Sequence, residues 1–105
     1  MESNLIPIKD VAEFQWKDQK GVFHPPSLMT TSHLFNTLLM IWNHVVPEDM
    51  KVRPYRRYRF SSFYTKEYIL KAITALRKEL GTRRGLTPRQ SEVLLLTGSK
   101  KLIAQ

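Results

Sequence analysis

Between Val52 and Tyr64 the chain interleaves four arginines with five aromatic residues: Val52-Arg53-Pro54-Tyr55-Arg56-Arg57-Tyr58-Arg59-Phe60-Ser61-Ser62-Phe63-Tyr64. Guanidinium forks grip phosphate oxygens in pairs, and both rings and guanidinium planes stack on bases, so this mixture suits a nucleic acid. If residues 55–60 are extended, Tyr55, Arg57 and Arg59 point to one side, while Arg56, Tyr58 and Phe60 point to the other. The first set is then the exposed one, and Tyr58 and Phe60 pack inward. A plainer alternative is a strand or loop whose rings all belong to the core and whose arginines are merely solvated.

The charge around this segment is uneven. The 105 residues carry 17 Lys+Arg against 9 Asp+Glu, a net +8. Residues 1–50 hold three lysines against six acids, whereas residues 51–90 hold twelve basic side chains against two glutamates, and every arginine lies between positions 53 and 89. Such asymmetry is the electrostatic footprint of a polyanion partner, and it is equally what a basic half facing an acidic half would show. The residues expected to carry binding are Lys51, Arg53, Tyr55, Arg56, Arg57 and Arg59, extended by Arg83 and Arg84.

Other chemistries find less support. Gly81-Thr82-Arg83-Arg84-Gly85 lacks the spacing of a phosphate-cradling loop, and its cations could do no more than offset a helix dipole. His33 and His44 share a helical face but stand ~16 Å apart along the axis, too far to ligate one metal. Ser32, His33 and Asp49 hold the residue types of a nucleophile, base and orienter, yet no nucleophile elbow surrounds them. The chain has no cysteine, which removes disulfides and thiolate sites. No catalysis, no metal and no cofactor are expected.

The elements that must position these residues are legible in part. Residues 13–24 read as a hairpin, with Phe14 and Trp16 alternating with polar neighbours and Asp18 opening and Gly21 closing a turn. A first helix should run from about His33 to His44 or Val45, capped by Thr31 or Ser32 and stopped by Pro47. Its wide apolar arc (Leu34, Phe35, Leu38, Leu39, Ile41, Trp42, Val45) marks a core element, with His33, Asn36, Thr37, Met40, Asn43 and His44 opposite. A second helix is expected from Thr65 to Leu80 with Gly81 at C′, burying Ile69, Leu70, Ala72, Ile73, Leu76 and Leu80. In the third, Thr87 caps, Pro88 sits at N1 and Gln90 at N3 as a capping box, and the helix runs to about Thr97.

The stretch Leu86-Thr87-Pro88-Arg89-Gln90-Ser91-Glu92-Val93-Leu94-Leu95-Leu96 resembles the opening helix of the helix-turn-helix domain in quorum-sensing-type transcription regulators, and Ile103-Ala104-Gln105 resembles the start of its scaffold helix. The resemblance spans about a fifth of the chain and does not reach a recognition helix, so no groove-reading activity is carried over from it.

The expected fold is therefore α+β and mainly helical, with about three helices, a short N-terminal hairpin and room for an extra strand at 55–60. It forms one small domain over residues 1–105, fraying at 1–12 and 99–105. An acidic N-terminus without an apolar run, and apolar stretches no longer than Leu38 to Trp42, point to a cytoplasmic protein with no membrane segment. The expected function is a small non-catalytic nucleic-acid-binding accessory protein, with DNA and RNA both open. The alternative is a protein-interaction module, an adaptor or inhibitor of the sort mobile elements encode, docking on an acidic protein. A homodimer is compatible with either.

Overall fold

The computed structural model describes residues 13–54 and 59–98. The segments expected to fray, 1–12 and 99–105, lie outside the described residues, as do positions 55–58 of the expected strand; Arg59 and Phe60 are in neither strand nor helix. The order is β1 (Trp16–Lys17), β2 (Phe23–His24), a 3-10 turn at Pro26–Leu28, α1 (Thr31–Val45), a second 3-10 turn at Glu48–Met50, α2 (Lys66–Leu80) and α3 (Pro88–Leu96). The fold is thus a mainly helical α+β arrangement of three helices and one antiparallel hairpin. No helix among the described residues is long and apolar enough to cross a membrane.

The hairpin pairs Trp16 with His24 and Lys17 with Phe23. Its turn forms at the expected residues. Gly21 N–H donates to the Asp18 carbonyl at 3.0 Å, and Asp18 N–H donates to the Val22 carbonyl at 2.9 Å. That geometry puts Gly21 at φ +86°, where any side chain would be strained. One Asp18 oxygen also accepts from the N–H groups of Lys20 and Val22, at 2.8 and 2.9 Å.

Helix α1 begins at Thr31, two residues earlier than expected, because Thr30 rather than Thr31 or Ser32 is the cap: its Oγ1 accepts from His33 N–H at 3.1 Å. Capping from Thr30 places Met29 before the cap and Leu34 at the fourth helical position, and both enter the core. This is the arrangement of a hydrophobic staple, which fixes the entry angle of the chain. At the other end Val46, not Val45, is buried, since the chain turns extended at Val46 and swings its side chain inward. Two members of the expected polar arc, Thr37 and Asn43, are buried as well.

Helix α2 is capped by Thr65 and buries Ile69, Ala72, Ile73, Leu76 and Leu80 against α1, with Leu70 half-buried at the edge. Gly81 does not take the left-handed conformation expected of it (φ −65°). The helix instead unwinds through tight turns, with Thr82 N–H on the Glu79 carbonyl and Arg83 N–H on that of Leu80, and the left-handed glycine is Gly85 at φ +71°. Helix α3 carries the complete capping box, Gln90 N–H on Thr87 Oγ1 at 3.1 Å and Thr87 N–H on Gln90 Oε1 at 2.9 Å. It reaches the core through Val93, with Leu86 and Leu94 packed beside it.

Candidate functional site

The arginine-rich segment leaves α1 and returns to α2 through two anchors. At the first, the buried Asn43 amide holds both backbone groups of Val52: Oδ1 accepts from its N–H at 2.7 Å and Nδ2 donates to its carbonyl at 3.2 Å. Trp42 Nε1 donates to the Met50 carbonyl at 3.3 Å. At the second anchor, the Phe60 ring meets His44 at 4.3 Å and Tyr64 at 5.1 Å between centroids. Burial, and then the Lys51 ammonium, hold the His44 imidazole below the ordinary histidine value.

The hairpin is bolted to the same region by two phenols. Tyr64 donates to the Lys17 carbonyl at 2.7 Å, with that of Asp18 at 3.2 Å. Tyr68 donates to the Gln15 carbonyl at 2.7 Å and accepts from Lys17 N–H at 2.9 Å. Burial pushes both hydroxyls above the ordinary tyrosine value. Trp16 packs against both rings, 5.4 Å from Tyr64 and 5.8 Å from Tyr68.

This bracing leaves a groove of about 790 Å³ between the hairpin turn, one flank of α1 and residues 59–64. His33, Thr37 and Met40 form the helical wall, spaced so that they share a face. Phe60 and Tyr64 form the aromatic wall, Lys20 and Arg59 are basic residues of the lining, and Lys17 borders the groove with its ammonium over the Phe63 ring. Asp18 also borders the groove, but its second oxygen is 2.7 Å from His24 Nε2, and that contact, then the Val22 N–H, holds its carboxyl below the ordinary range.

The expected binding residues fare differently. Arg59 is exposed on the groove. Arg53 is exposed and pairs with Glu48 at 3.1 Å, a contact between side chains 67% and 57% accessible and therefore worth little. The Lys51 ammonium is engaged at the end of α1, on the carbonyls of Asn43 at 2.5 Å and Val46 at 3.2 Å. Arg83 is drawn inward, bonded to Glu79 at 3.1 Å, Thr31 Oγ1 at 3.3 Å and the Pro26 carbonyl at 3.2 Å. Arg84 is exposed beside it. Tyr55, Arg56 and Arg57 lie outside the described residues. Lys51 and Arg83 contact opposite ends of α1, ~20 Å apart at 1.5 Å per residue, so these two described positions do not share one compact footprint.

What the structure adds is Lys17 and Lys20, which belong to the acidic half of the sequence yet share the groove with Arg59. The signal that could have found them is two lysines flanking a turn that must project from its sheet. Phe23 and Phe63 are also exposed, at 49% and 39%, with centroids 6.4 Å apart and Lys17 Nζ 4.1 Å from the Phe63 centroid.

Two further features carry less. A groove of about 910 Å³ along the outer flank of α2 mixes Glu13, Glu67 and Glu79 with Lys71 and Lys78, so it has no net preference for a polyanion. Ser32 and His33 lie in the first turn of α1 whereas Asp49 lies beyond its last, so the three do not meet. Among the described residues no three His, Cys, Asp or Glu side chains are grouped to hold a metal ion. No family model, curated protein or solved structure matches the chain.

Proposed function

We propose that the protein is a small non-catalytic nucleic-acid-binding accessory protein acting in the cytoplasm. The observation that carries the reading is the convergence of Arg59, Lys17 and Lys20 on a groove with an aromatic wall. Arg59 and Lys20 would contact phosphates, and Arg53, Arg56 and Arg57, on the same run of chain, would extend the backbone contacts with Tyr55 as a stacking ring. Arg84, exposed next to Arg83, would extend the backbone contacts of a longer ligand. Lys51 and Arg83 are left to their structural contacts.

The test is a titration of labelled single-stranded DNA, duplex DNA and RNA at two salt concentrations. Affinity should fall steeply with salt, because displaced counterions drive phosphate binding. Absent binding at low ionic strength, or binding indifferent to salt, would overturn the reading. One observation favours a second reading, an acidic protein as partner: Val22, Phe23 and Phe63 are exposed apolar residues beside Lys17. A stoichiometric complex with such a protein that survives nuclease treatment would select it, as would loss of that complex on Phe23→Ala.

A further inference from the structure

We infer that the groove takes a single strand, with one unpaired base seated in the recess between α1 and the aromatic wall and the neighbouring phosphates held by Lys20 and Arg59; this rests on the nucleic-acid reading above. The carrying observation is Thr37. It is 6% exposed and borders the groove, and its hydroxyl has no hydrogen-bond partner among the described residues. A hydroxyl bordering an open groove and lacking a partner in the protein is left to water or to a ligand, so the position can serve a ligand that brings a donor or acceptor into the recess.

The edge of a base is such a group. A hydroxyl both donates and accepts, so it can serve the edge of any base, which suits binding with little sequence preference. The groove volume falls in the range of clefts that enclose small molecules, roughly 300–1,000 Å³. A duplex keeps its bases inside the stack and would present only backbone to a recess of this size. Phe60 and Tyr64 supply the ring faces and edges that sequence-tolerant single-strand binders use. Asp18 carries a negative charge that repels a phosphate laid on it, although its oxygens are turned to the N–H groups of Lys20 and Val22 and to His24. The phosphates are therefore assigned to the Lys20 and Arg59 side of the groove.

The experiment compares oligonucleotide and duplex of equal charge at matched salt, for the native chain and for T37V, T37S and K20E/R59E. The single strand should bind more tightly than the duplex. Thr37→Val, which keeps the shape and removes the hydroxyl, should weaken single-strand binding roughly three- to tenfold without altering its salt dependence. Thr37→Ser should retain the affinity. The double charge reversal should weaken both ligands and flatten the salt slope by about one unit per lost phosphate contact. Equal or tighter duplex binding, or a T37V protein with native affinity, overturns the single-strand inference and leaves nucleic-acid binding standing. No binding to either ligand overturns both. Circular dichroism and melting of each variant separate a lost contact from a lost fold.

Discussion

Two groups of cations in this molecule share a residue type and differ in fate. Where α2 ends, Arg77 spans to α3, its guanidinium on the Leu94 carbonyl at 2.9 Å and its Nε on Thr97 Oγ1 at 3.0 Å, while Arg83 ties the same end to Pro26 and Thr31. At the groove, Arg59 and Lys20 have no side-chain partner among the described residues. The difference lies in what surrounds each group. Helix C-termini expose carbonyls that lack intrahelical donors and attract positive charge, so Arg77 and Lys51 become internal fasteners. Arg83 is held instead by Glu79, Thr31 and the Pro26 carbonyl. The hairpin turn satisfies its own backbone through Asp18, leaving Lys20 nothing local to hold. Net charge along a chain therefore overstates a binding surface wherever helix ends can absorb it.

The comparison can be broken most sharply at Arg77. Arg77→Ala strips charged hydrogen bonds from a half-buried site and should cost ~2–3 kcal/mol in chemical denaturation, with nucleic-acid affinity unchanged below the unfolding transition. Gly98→Ala should act in the same direction, because a side chain there would collide with the Arg77 guanidinium. The double variant K20E/R59E should do the converse. Its unfolding free energy should stay within ~0.5 kcal/mol of native, while affinity at low salt drops by at least about tenfold. A charge reversal that unfolds the protein, or an Arg77 variant that loses binding and not stability, would erase the distinction.

Arg83→Ala should be milder than Arg77→Ala, about 1 kcal/mol, since Arg83 and Glu79 are 19% and 26% accessible and water screens part of the pair. Acid gives the smallest and most specific effect. The His44 imidazole titrates below its ordinary 6.5, so the unfolded chain takes up that proton first and stability falls as pH drops through 6.5 toward the lowered value. Asp18 titrates below its ordinary 3.8, so its contribution is present above 3.8 and lost as pH falls through its folded value. Denaturation curves between pH 7 and 3 should show the two losses in that order. His44→Phe should remove the first and Asp18→Asn the second.

The helices were legible because their signals are local: apolar residues at helical spacing, Thr87 at a cap, and Pro88 and Gln90 completing a box within three residues. The hairpin was legible for the same reason, from Asp18 and Gly21. The misplaced cap at Thr30 shows the limit of local rules, since three consecutive hydroxyl residues could each cap and burial of Met29 decided among them. The site was less legible because it is made by long-range return. Asn43 belongs to the solvent arc by periodicity, and only the fold-back of Val52 buries it usefully. Lys17 and Lys20 meet Arg59 across some forty residues of chain, and Arg83 reaches Pro26 across 57. No window of sequence contains either pair.

The two tryptophans divide the molecule optically. Trp42 is 1% exposed, and its indole rests on the Met50 carbonyl at the end of α1, away from the groove. Trp16 is 3% exposed yet borders the groove, close enough to Tyr64 and Tyr68 to collect their excitation. In a Trp42→Phe protein the remaining emission comes from a single indole behind the wall where a base would stack, so occupancy of the groove reads out as quenching of Trp16. In a Trp16→Phe protein the emission follows instead the docking of the Glu48–Met50 turn on the end of α1. The chain thus carries one intrinsic reporter for its proposed ligand and another for its fold, with no added label.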